Sequence, residues 1–376
     1  MKSDSDLAIS GDFGLVTLRV TYNAQHTIPM SSIDQQPDEL SPRSNLPPVE
    51  PPSAGFIVQL FVIPALVVLC IVVVWLLFNW LAHMGGNPTS YVAAMKAGRA
   101  DSGQQAYNLA DELQRNETAR TDPELAKDVA NFLEELLAQP LPGPEQHEQH
   151  KRHLRSEEAQ RRGFVCHALA QFRLPEQVLP ALLKAAVPTQ DKDEDAVRVR
   201  VAALEAITIL ADNVRATKPL DDPRVVTTFT LASGDELPIV AKAGAFGLGV
   251  VGGPEAIKQL KKIAVAPGAP DVQYNAALGL ARHGDATGLE LIAEMIDPST
   301  TRALNDAEDQ KGRSRAAKQA RLQLNGLRVA RQLAAANANV DMSSLLPVIQ
   351  RLQASSAPEV VQSEARVVER ELKARK

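Results

Sequence analysis

Cysteine is scarce in this chain, with two in 376 residues. Cys70 lies in an apolar run and Cys166 in a helical pattern, neither near the other. That excludes a disulfide framework and a cysteine-based zinc site. Aromatic residues make up only 4% of the sequence. A β-sandwich draws on aromatic and β-branched side chains, so their shortage, with alanine and leucine abundant in the second half, favours packed helices. Charge of one sign is also lacking: the net charge is −5, too mild to imply any particular partner. No Ser-His-Asp arrangement, phosphate loop or carboxylate pair can be placed.

A long hydrophobic run is present. From Phe56 to Ala82 the chain reads FIVQLFVIPALVVLCIVVVWLLFNWLA, without a charged residue. About 20 apolar residues suffice to cross a bilayer core, so the run predicts a transmembrane helix. Trp75 and Trp80 suit one interface. Lys96 and Arg99 follow the run, against Arg43 before it, which predicts a single-pass cell-membrane protein with its C-terminal part in the cytoplasm. Residues 1–55 are rich in Pro, Ser and acidic side chains, a composition expected to stay disordered.

Beyond the run, helical periodicity returns repeatedly. Val197, Val201, Leu204, Ile207 and Leu210 recur at three and four, as do Val129, Phe132, Leu133 and Leu136. Units of two helices and a turn are expected over 87–376. Two of them repeat closely. AFGLGVVGGPEAIKQL from Ala245 and ALGLARHGDATGLELI from Ala277 align at an offset of 32 residues, with Ala245, Gly247, Leu248 and Gly252 matched by identical residues. A period of roughly 20–50 residues is the signature of a stacked repeat.

That repeat competes with another reading of the same glycines. Gly247, Gly249 and Gly252 fit G-x-G-x-x-G, the spacing that brings a backbone turn against a dinucleotide pyrophosphate. The context is wrong: no convincing strand precedes it, and Gly253-Pro254 breaks the chain where the binding helix should run. The glycines are expected instead as close-packing positions (Gly247, Gly249) and helix stops (Gly252, Gly284), and no cofactor is expected.

The segment Pro270–Asp297 resembles a HEAT repeat of the phycobilisome-lyase-like kind. Asp271, Ala277, Leu280, Gly284, Asp285, Leu289 and Leu291 match its pattern, and Pro238–Ile263 matches with Gly253 in place of the aspartate. The resemblance implies an all-α, right-handed α-solenoid of stacked helical hairpins. It specifies architecture and hardly any function.

Two constellations remain. EQHEQHKRH holds His147, His150 and His153. Its H-E-x-H spacing misses the i+4 position of a metalloprotease helix, so a solvated linker with no metal is expected. Between Lys311 and Arg331 the chain is basic, and Lys318, Arg321 and Arg328 fall on one helical face. They are candidate contacts for an anionic surface or partner, with nucleic acid disfavoured by the negative net charge. The reading is a membrane-anchored helical-repeat scaffold, not an enzyme, that binds an unidentified protein partner along its solenoid. A bilin-lyase-like or other groove enzyme and a structural envelope component are the alternatives.

Overall fold

The structure is a computed structural model that describes residues 55, 58–83, 87–97, 102–142, 149–188, 193–304 and 312–375. It is 79% helical, and no strand occurs among the described residues. The expected N-terminal tail lies outside the described residues except for Gly55.

The chain divides into two units, Met1–Leu76 and Leu77–Lys376. The boundary falls within the first α-helix, α1 (Ile63–His83). This region corrects the expected transmembrane span and the membrane localisation built on it. Among the described residues no helix is long and apolar enough to cross a membrane. The run from Phe56 to Ala82 is not one α-helix: Val58–Val62 is wound as a π-helical turn before α1 begins. Within α1 the stretch free of polar side chains extends from Ile63 to Phe78, shorter than the roughly 20 residues a bilayer core requires. The orientation drawn from Lys96, Arg99 and Arg43 falls with the span.

The second unit is a stack of helices. After α2 (Pro88–Lys96) come α3 (Ser102–Arg115), the short α4 (Glu117–Arg120), α5 (Pro123–Ala138), α6 (Gln149–Leu169), α7 (Pro175–Ala185) and α8 (Glu194–Val214). Then follow α9 (Pro223–Ser233), α10 (Pro238–Val251), α11 (Pro254–Val265), α12 (Pro270–Arg282), α13 (Leu289–Ile296), α14 (Gly312–Ala336), α15 (Leu345–Gln353) and α16 (Glu359–Lys373). Helices α3, α6, α8, α10, α12, α14 and α16 each pack on the next and form one row. A second row, with weaker contacts along it, comprises α5, α7, α9, α11, α13 and α15, and each of these pairs with the first-row helix that follows it. This is the arrangement of a helical repeat protein.

Local signals explain the starts. Asp122, Asp193 and Asp222 accept hydrogen bonds from the first backbone N–H groups of α5, α8 and α9, donors that a helix itself leaves unpaired. Proline stands in the first turn of α5, α7, α9, α10, α11 and α12, where its missing N–H costs nothing. Pro238 and Pro270 open α10 and α12, which realise the 32-residue offset in three dimensions. One expectation shifts: the histidine-rich segment read as linker is helical from Gln149 onward.

First-row helices are enclosed by their row neighbours and by second-row helices. In α8, Ala203, Leu204, Ala206, Ile207 and Leu210 are fully buried. In α10 most residues are buried, and Pro238, Ile239, Lys242 and Phe246 are exposed. Second-row helices bury one stripe, such as Ala256, Leu260 and Ala264 of α11, and turn their charges to solvent. The buried side chains form two large bodies, one from Val92 to Leu280 and one from Ala277 to Leu372. Helix α12 contributes to both.

Candidate partner-binding face

The first row determines what the molecule presents. Because its helices are covered on several sides, each leaves only a narrow outward strip, and the strips line up from helix to helix. On α3 and α6, Tyr107 and Phe164 meet edge to face, ring centroids 6.3 Å apart. Next, His167 of α6 places Nε2 3.9 Å from Oε2 of Glu205 on α8. Lys242 and the exposed ring of Phe246 follow on α10. Asn275 of α12 donates to the Lys242 carbonyl at 3.1 Å.

Burial tunes this strip. It pushes the Glu205 carboxyl above its usual value, with Lys242 opposing. It also lowers the His167 imidazole. Both effects favour neutral side chains, since removing water penalises the charged form. Cys166, beside His167 in sequence, is fully buried and pushed up to about 12 by that burial, so it stays a thiol and no nucleophile.

The expected basic contacts separate. Lys318 is partly buried and lies 3.5 Å from Asp271 of α12. Arg321 and Arg328 are both exposed on the outward face of α14. Arg331, one turn beyond Arg328, is held by Glu371 at 2.7 Å and Glu364 at 3.1 Å. Lys318 therefore sits at the α12 boundary, with its charge matched, while Arg321 and Arg328 share a solvent-facing stripe. The row-one strip of His167, Glu205 and Lys242 was missed in the sequence, because its members are more than 35 residues apart and only stacking aligns them.

Of the three clustered histidines, His147 lies outside the described residues and the side chain of His150 is not described. His153 is exposed and 3.0 Å from Glu157 one turn on. Among the described residues no group of three metal-ligating side chains is placed to hold an ion.

Gly247 and Gly249 lie inside α10 and Gly252 caps its C-terminal end, so the motif is not in a strand-to-helix turn. A Cβ on Gly249 would come within 2.7 Å of the Gly279 Cα on α12, and one on Gly247 within 2.2 Å of the Phe229 ring. The glycines let helices of adjacent repeats touch. Gly252 and Gly284 have φ of 70° and 76°, the left-handed region that ends helices.

No protein-family model matches the chain, and no curated protein matches it.

Proposed function

We propose that this chain is a HEAT-type helical-repeat scaffold that binds a protein partner along the outward strip of its first helix row. The observation behind this reading is the strip itself: rigid aromatic side chains at Tyr107, Phe164 and Phe246 alternate with polar groups at His167, Glu205 and Lys242. Such a mixture of rigid rings and polar groups suits protein recognition, where aromatics are enriched. The HEAT assignment is supported by the repeated Pro238 and Pro270 starts, the glycine stops after α10 and α12, and the two-row stacking. Arg321 and Arg328 extend the same row's surface onto α14 and would meet acidic groups of the partner, while Lys318 is held by Asp271.

The test is photo-crosslinking with the full chain. A photoreactive phenylalanine analogue at position 246 should capture a defined partner, and the same group at Lys258, on the second row, should not. Equal capture at both positions, or none at position 246, rejects the reading.

A further inference from the structure

The two bodies of buried side chains meet at α12, and α12 holds its two row neighbours differently. Against α10 the backbones touch, at Gly249 and Gly279, and Ala276 and Leu280 of α12 are buried in the first body. Against α14 the contact is less extensive. The fully buried side chains that α12 gives to the second body are two methyl groups, Ala277 and Ala281. One ring crosses as well: Tyr274 packs with Met295 and Ala303. Helix α13 is locked to α14 instead. A Cβ on Gly326 of α14 would come within 2.9 Å of Ile296 Cγ1 and 3.2 Å of Met295 Cβ on α13. The chain passes from α12 to α13 through the turn Ala286–Gly288, where a Cβ on Gly288 would come within 2.6 Å of Ala277 Cβ.

Polar ties complete the contact between α12 and α14. Near the start of both helices, Nζ of Lys318 lies 3.5 Å from Oδ2 of Asp271, and the two side chains keep 24% and 34% of their surface exposed, so water reaches the pair. Just past the end of both helices, Asn337 donates to the Gly284 carbonyl at 3.0 Å.

We propose that the contact between α12 and α14 is a shear joint, with α13 to α16 moving as one arm against the stack from α3 to α12. Interdigitated side chains hold two helices in one register. Methyl groups present a smoother face, on which packed helices slide by small steps. The turn Ala286–Gly288, seated on Ala277, is the pivot, and the two polar ties set the resting position. An exposed ion pair contributes little beyond what water offers in its place, so Lys318 and Asp271 part at small cost. Movement of the arm re-aims Arg321 and Arg328 relative to Lys242 and Phe246 of α10, which makes the outward strip adjustable. The joint follows from packing and stands whether or not the strip binds a protein.

The test is double electron–electron resonance on the full chain carrying Cys70→Ser, with Cys166 buried beyond reach of the label. One spin-label pair spans the joint, placed by Gln160→Cys on α6 and Ser363→Cys on α16. A second lies on one side of it, placed by Gln160→Cys and Lys262→Cys on α11. Lys318→Glu should shift the mean distance of the spanning pair by about 2 Å, the scale of a helix shift, and leave the other pair unchanged. Salt at about 1 M, which screens the ion pair, should do the same without any substitution at the joint. Adding Asp271→Lys to Lys318→Glu rebuilds the pair in reverse and should return the parental distance. Circular dichroism melts check that each variant folds. A spanning distance that stays put in Lys318→Glu and in salt, equal shifts of both pairs, or a reversed pair that fails to restore the parental distance overturns the proposal.

Discussion

At the scale of single residues, several positions have one physical job that a substitution exposes. Gly249 is one. Its Cα approaches Gly279 so closely that an added methyl meets backbone, which cannot move aside like a flexible side chain. Gly249→Ala should therefore destabilise the protein by about 1–3 kcal/mol, the usual cost of overpacking, measured by urea unfolding. Glu369 is another. Hydrogen bonds from Lys373, then from Gln350 and Gln353, hold its carboxyl down to about 2. A carboxyl depressed in the folded state adds stability above its unfolded value and loses it as pH falls toward the folded value. Melting temperature should thus drop between about pH 4.5 and 2, and Glu369→Gln should flatten that part of the profile. Glu205 runs the other way. Its raised folded value means the native state binds its proton more tightly, so stability falls as pH rises through the range just above the ordinary carboxyl value. Glu205→Gln, which never ionises, should remove that fall and leave the protein more stable at neutral pH than the parent.

At the scale of elements, the repeats are tied where first-row helices end. Asn213 of α8 donates to Ala170 O after α6 at 2.9 Å, and Arg215 to Val250 O of α10 at 3.0 Å. Asn337 donates to Gly284 O at 3.0 Å, and Arg375 to Asn337 O at 3.1 Å. Carbonyls at a helix C-terminus have no partner within their own helix, so each tie satisfies an acceptor and links one repeat to another. The entrance to α8 is bound differently. Arg155 is nearly buried, donates to Pro142 O at 2.6 Å and pairs with Asp193, which also caps α8. Asp193→Ala removes the cap and leaves a buried guanidinium without that carboxylate. The expected loss is about 2–4 kcal/mol, a lost cap plus a lost charge-assisted hydrogen bond, since Asp195 still lies 3.9 Å from Arg155, and it is read from chemical denaturation.

At the scale of the whole molecule, a stack of repeats has no single centre, since each contacts only its neighbours. The buried side chains form two bodies that meet at α12. Ile349 is fully buried in the second. Ile349→Ala should therefore raise hydrogen exchange in α13 to α16 while protection in α3 to α8 stays at the parental level. Uniform loss of protection along the chain would show that the two bodies unfold as one.

How much of this was legible in the sequence depends on range. Amphipathic periods, proline starts and glycine stops act within one or two helical turns, so the core-facing stripes of α5 and α8 were readable as Val129, Phe132, Leu133 and Leu136 and as Val197, Val201, Leu204, Ile207 and Leu210. The 32-residue repeat was readable because Ala245, Gly247, Leu248 and Gly252 return in order, and it ruled correctly that the glycines belong to helix packing. Local pattern misjudged two segments. Hydropathy summed over Phe56–Ala82 registers apolar content but not the winding of the backbone, and the π-helical turn at Val58–Val62 with the polar Asn79 divides that run. The polar composition from Gln149 onward hid a helix, because Arg155 and Arg162 find their partners, Pro142 O and Gln139 O, 13 and 23 residues earlier in the chain. By itself the sequence determined that this is an all-helical protein of repeated pairs, since helix periodicity and caps are local interactions. Only the tertiary structure decided which side chains share a surface. His167, Glu205 and Lys242 become neighbours, and Lys318 meets Asp271, because stacking brings separate helices into register, and burial then sets the charge state of what lies between them.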